Sequence, residues 1–150
     1  MAKISNDHEL RNALDALAAE QQRIVGARFA RSVMRLCQDD RVRRAAEVAS
    51  DPNADPSSLE DALKAAKAYA TKTYTDCGKD TDWLAQADHF VAAAVAAALT
   101  PPEQVSGKAN PAWKAAMQAR MAKNCEMMEE EGTEAEGEPE RQYQIASEAT

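Results

Sequence analysis

Residues 90–99 read FVAAAVAAAL, ten in a row without a polar side chain. A surface helix cannot be written this way, because one of its sides would have to face water. A helix apolar all round is enclosed by protein, and this run falls well short of the roughly 20 residues that cross a bilayer. The segment therefore predicts a buried central rod, its alanines small enough to let neighbouring helices approach closely. Aromatic residues make up only 5% of the chain, and alanine carries much of its 45% hydrophobic fraction. That mixture favours packed helices over a sheet, which draws on β-branched and aromatic residues. A chain of 150 residues is long enough for one domain with a real core. The expectation is an all-α fold: a compact bundle of five to six helices over residues 1–131 around the alanine-rich rod, then a disordered acidic tail over 132–150.

Capping signals and apolar spacing place the helices. Asn6 caps the first with Glu9 at its third position, and Leu10, Ala13, Leu14 and Leu17 form its stripe. Val25, Phe29, Val33 and Leu36 form a second stripe. At about 100° per residue it is rotated by roughly 110° from the first, so a break is expected near Ala18–Gln22, with helix two running to about Cys37. A shorter helix follows Asp40, with Val42, Ala45, Ala46 and Ala49 inward. The turn residues of SDPNADPS end it, and Ser57 with Glu60 reads as a capping box for a helix whose face runs from Leu59 to Thr73. Gly78 breaks that helix; Asp80 or Thr81 caps the rod's helix, with Asp82 in its first turn. Asn110 caps and Pro111 opens helix six, over 111–131, where Trp113, Met117, Met121 and Met128 line one side beside Cys125. The six helices group as three hairpins, at 6–37, 40–75 and 82–131, without the recurring residue signature of a solenoid.

Charge is segregated. Residues 126–150 hold nine glutamates and one arginine, a net of −8, while the rest of the chain, with 16 acids and 17 bases, is nearly neutral. Within it, residues 23–44 carry seven arginines against Asp39 and Asp40. Arg28, Arg31, Arg35, Arg41, Arg43 and Arg44 form a cationic patch whose guanidinium groups suit carboxylates or phosphates. The plainer reading is a solvated face with local pairing to Asp39 and Asp40. Nucleic acid is disfavoured by the pI of 4.9, the few aromatics and a tail that would repel phosphate. An acidic protein partner, or the chain's own tail competing for the patch, is the expectation, and a homo-oligomer is compatible with it. No membrane association is expected.

The residues that could carry chemistry cluster in YTDCGKDTDWLAQADHF, at 74–90. Counted from Asp76 as a calcium loop, position six is Thr81 and position twelve is Ala87, so the pattern fails. A di-iron bundle needs repeated Glu-x-x-His, and only Gln86-x-x-His89 occurs. The chain has no CxxC for zinc. Asp82, Gln86 and His89 share one helical stripe, so an enzyme would centre on His89, with Cys77 or Cys125 as nucleophile. No oxyanion or phosphate-binding loop accompanies them, which favours a hydrogen-bonded, partly buried histidine. Met121, Cys125 and Met128 offer sulfur to Cu(I), but methionine is also an ordinary filler of uneven cores. The sequence thus predicts no cofactor and no metal. Three cysteines, Cys37, Cys77 and Cys125, are too few and too widely spaced for a disulfide framework, and no secretory signal opens the chain. A cytoplasmic, non-catalytic interaction or accessory protein is the reading these residues support.

Overall fold

The computed structural model describes residues 3–76, 82–105, 110–129 and 137–149. Among them the fold is all-helical, without strands. Seven α-helices follow in order: α1 (Asp7–Asp15), α2 (Ala19–Arg31), α3 (Asp40–Ser50), α4 (Pro56–Asp76), α5 (Trp83–Leu99), α6 (Pro111–Glu129) and α7 (Glu138–Ala149). Short 3₁₀ turns follow α2 at Met34–Leu36 and α5 at Pro102–Gln104. No described helix is long and apolar enough to cross a membrane.

The local chemistry sets the boundaries. Asn6 accepts from the Glu9 amide at 2.9 Å while Glu9 Oε1 receives the Asn6 side-chain amide, so the first expected cap is in place. The break between α1 and α2 falls at Ala16–Ala18, at the near edge of its expected position. Gln22 holds it: its buried amide donates to the Leu17 carbonyl at 2.9 Å and, at 3.4 Å, to the Leu14 carbonyl, which also accepts from the Leu17 amide. Helix two does not reach Cys37. It stops at Arg31 and tightens into the 3₁₀ turn, which swings the chain so that Asp39 caps α3 through the Arg41 and Val42 amides. The box expected at Ser57 is displaced by two residues. Asp55 accepts from the Ser58 amide at 2.7 Å with Pro56 in the first turn, and an aspartate ahead of proline is the better cap because the proline has no N–H to leave orphaned. Asp82, expected inside the first turn of α5, is itself the cap and accepts from Ala85. The expected roles of Gly78, Asp80 and Thr81 fall outside the described residues. Asn110 caps α6 as expected, accepting from the Trp113 amide at 2.7 Å.

The rod is the axis of the molecule. α5 packs most extensively against α6 and then α4, with α2 crossing both α5 and α6. Val91, Ala92, Ala94, Val95, Ala98 and Leu99 are buried; Phe90, Ala93, Ala96 and Ala97 are partly covered, and none of the ten is exposed. Close approach is literal at Gly26: a Cβ there would lie 3.0 Å from Ala98 Cβ and 3.3 Å from Ala112 Cα. Two hydrophobic clusters result. One joins α2 to α6 through Val33, Val42, Ala66, Val91, Val95 and Cys125; the other gathers Ile4, Leu10, Leu14, Phe29, Ala112, Ala116 and Ala146. The pairs α3–α4 and α5–α6 are close-packed neighbours as expected, but α1 packs chiefly on α7 and α6 instead of making a hairpin with α2.

Two further expectations hold only in part. Helix six turns its alanines inward (Ala112, Ala115, Ala116, Ala119 and Ala122); on its expected methionine side Trp113 and Met117 pack on the second cluster, while Met121 and Met128 are exposed at 44% and 58%. An alanine face is what lets α5 and α6 lie close, and long methionines would hold them apart. The second concerns the segment expected to be disordered beyond Gly132, of which residues 138–149 form α7. Their low apolar content is offset by polar contacts. Gln142 donates to the Ala116 carbonyl and accepts from Arg120, each at 2.9 Å, and Tyr143 donates to Asp7.

Candidate functional site

Among the described residues, three places stand out for their chemistry or concavity. The first lies where α4, α5 and the α2–α3 connection meet. Asp88 sits on the buried side of α5, where its carboxylate accepts from the Gln38 amide at 2.8 Å and from the Tyr69 hydroxyl at 2.5 Å. One turn-face away, His89 Nδ1 lies 2.9 Å from Thr73 Oγ1, and its ring packs against Phe90 and Tyr74. Burial lowers the His89 pKa from its ordinary value, outweighing the Ala70 carbonyl and Asp88. Burial, then the Asp88 bond, raises that of Tyr69. Cys37, buried close by, has its thiol pushed up to about 11, first by desolvation and further by Asp88.

These groups do not assemble the expected catalytic set. Asp82 is spent as the α5 cap, Gln86 is half-buried on the rod, and His89 faces threonine and aromatic rings. Cys125 is buried in the first cluster, while Cys77 lies outside the described residues. A thiol with a raised pKa is a poor nucleophile. Among the described residues no three histidine, cysteine, aspartate or glutamate side chains stand together to hold a metal. The sulfur donors suggested for Cu(I) divide between the core, for Cys125, and the exposed surface, for Met121 and Met128. Asp88 is the residue that the sequence reading passed over. It lies in phase with Ala92, Val95 and Leu99 on one helical face, and a carboxylate in phase with apolar residues must find donors.

The arginines form the second place. They do not make one patch. Arg35 reaches Glu126 of α6 at 2.7 Å, Arg41 pairs with Asp39 at 3.2 Å, and Arg43 binds Asp40 at 2.7 Å and the Cys37 carbonyl at 2.6 Å. Arg44 stands with Arg41 over a shallow surface between α3 and α4. Arg28 and Arg31 have no carboxylate partner among the described residues. Together with Ser32 they flank a shallow depression of about 460 Å³ against α7, whose side supplies Arg141, Ile145 and Glu148. Arg141 comes from the acidic tail, where composition alone gives no reason to single it out. It donates to the Ser32 carbonyl at 3.2 Å and lies 3.6 Å from the Glu138 carboxylate, whose other oxygen accepts from Ser32. The tail thus docks beside the arginines, mainly through neutral and basic contacts.

The third place is a cleft of about 640 Å³ between the start of α2, the first half of α4 and the end of α5, floored by Leu59, Leu63 and Leu99. Comparison with protein-family models, with curated proteins and with solved structures finds no match in any of the three, so the function of this chain has to be argued from these residues.

Proposed function

We propose that the protein is a non-catalytic interaction or accessory protein that binds an acidic segment of a protein partner across the α2–α7 surface. The supporting observation is the convergence of Arg28, Arg31 and Arg141 on one depression, where Arg28 and Arg31 have no carboxylate partner among the described residues. Guanidinium forks so placed suit the carboxylates of a Glu- or Asp-rich segment, while Glu148 at the rim opposes them. Arg35, Arg41 and Arg43 belong to the fold's own ion pairs and are not part of this surface. The overall charge of −7 disfavours nucleic acid as the partner. A cytoplasmic setting, where Cys37 and Cys125 stay reduced, fits this reading.

The test is capture from cell lysate at low and high salt with the native chain, Arg28→Glu/Arg31→Glu and Glu148→Gln. The expected result is an acidic protein retained at low salt, lost with the double reversal and held more tightly by Glu148→Gln. Capture that is insensitive to all three changes removes the proposal. The enzyme alternative centred on Asp82, Gln86 and His89 has less support: the hydroxyl that meets the imidazole, Thr73, also bonds the Tyr69 carbonyl of its own helix at 2.8 Å, and among the described residues no thiol or carboxylate is hydrogen-bonded to the ring.

A further inference from the structure

The cleft beside Leu63 is separate from the arginine surface, and its chemistry differs. Its floor is leucine, and its walls include Pro56, Pro101, Pro102 and Pro111. Proline fixes its own backbone and offers no N–H, so these walls are rigid and poor in donors. The turn after α5 satisfies itself: the Thr100, Gln104 and Val105 amides donate to the Ala97, Pro101 and Pro102 carbonyls. An extended peptide would find few backbone partners here, whereas a volume of this order is ordinary for a small organic ligand.

The charged groups are at the rim. Arg23 is committed to the fold, donating to the Ala49 and Asp51 carbonyls at 3.0 and 2.7 Å, where it closes the end of α3. Lys64 pairs with Glu60 at 3.3 Å, one turn back on α4. Lys67, the next turn along the same helix, also lines the cleft, and no carboxylate pairs with it among the described residues. Counting Glu20, the cleft is bordered by three cations and two carboxylates, with one cation left over. We propose that this cleft binds a small amphipathic carboxylate, its hydrocarbon part lying over Leu59, Leu63 and Leu99 and its carboxylate pairing with Lys67.

The experiment is a titration of the isotope-labelled full chain with decanoate and, separately, with the matched alcohol decanol, followed by amide chemical shifts. Saturable shifts centred on Leu59, Leu63 and Leu99 are expected with decanoate below about 1 mM, and weaker binding is expected with decanol. Lys67→Gln, an exposed change that leaves the core intact, should weaken decanoate about fivefold and leave decanol unaffected. Leu63→Gln should weaken both ligands, with the far-ultraviolet dichroism of each variant confirming the helical fold. Equal affinity for acid and alcohol, indifference to Lys67→Gln, shifts centred elsewhere, or no saturation by about 1 mM would each overturn the proposal.

Discussion

At the scale of single residues, Gly26 and His89 show how little freedom an alanine-built core leaves. Replacing Gly26 with alanine gains about 1 kcal/mol of helix propensity, but the new methyl meets Ala98 Cβ and the α6 backbone at Ala112. Backbone cannot swing aside as a flexible side chain does, and overpacking of this kind costs about 1–3 kcal/mol. Gly26→Ala should therefore lose about 1 kcal/mol net in urea unfolding, and adding Ala98→Gly should recover part of the loss, giving a favourable coupling in the double-mutant cycle. His89 bears on pH. Its folded pKa is depressed, so the unfolded chain takes up the proton first; the stabilisation is complete above the unfolded value of about 6.5 and is lost as pH falls through it toward the folded pKa. Urea midpoints of the native chain should fall between about pH 7.5 and 5.5, and those of His89→Gln should stay nearly level across that window. Below about pH 4.5 both proteins should weaken together. In that range the Glu126 carboxylate, which burial acts to raise but Lys123 and Arg35 hold below its ordinary pKa, becomes protonated.

At the scale of helices, the sequence was readable wherever one face was uniformly apolar. The rod follows from its unbroken apolar run and α3 from its stripe, and α1 and α6 were located by their caps, Asn6 and Asn110. It was less readable where a turn competed for the same residues. Ser57 and Asp55 both offer an N-cap, and only the proline between them decides the matter. Helix six misled because methionine outranks alanine in hydrophobicity, while packing distance against the rod is decided by size. α7 was invisible for another reason: its buried positions, Glu138, Gln142 and Ala146, include one apolar residue, so no stripe announces it. The carboxylate of Glu138 has one oxygen buried without a hydrogen bond, and Gln142 spends its whole amide on α6 and Arg120. A helix held by polar contacts opens more readily than one held by burial. Amides of 138–149 should exchange with solvent faster than those of the rod by orders of magnitude. Gln142→Ala, which removes one partner each from Arg120 Nε and the Ala116 carbonyl while Asp7 still holds the Arg120 guanidinium, should speed exchange across α7 by about tenfold or more while leaving α5 unchanged. Uniform acceleration of both helices would show that α7 is an integral part of the cooperative bundle.

At the scale of the whole molecule, the question is whether two hydrophobic clusters amount to two folding units. The partly buried Trp83 packs on the cluster that joins α2 to α6 around the rod, and the partly buried Trp113 packs on the one formed with α1 and α7, so the chain's two tryptophans report on one cluster each. α2 and α6 contribute to both: Ala27 and Ala30 face one cluster while Val25 and Phe29 face the other, and Ala119 and Ala122 are paired in the same way with Ala112 and Ala116. Neither cluster can come apart without stripping a face from a helix that the other requires, so the α1–α6 body should unfold in one step. The single-tryptophan proteins Trp83→Phe and Trp113→Phe should each give one fluorescence transition in urea, with equal slopes. Leu14→Ala, which leaves a cavity in the second cluster, should cost about 2–5 kcal/mol and lower the midpoint seen by Trp83 as much as the one seen by Trp113. If only the Trp113 signal moved, the shared helices would not couple the clusters, and the alanine-lined contacts of α2, α5 and α6 would be too weak to transmit the loss of a side chain from one to the other.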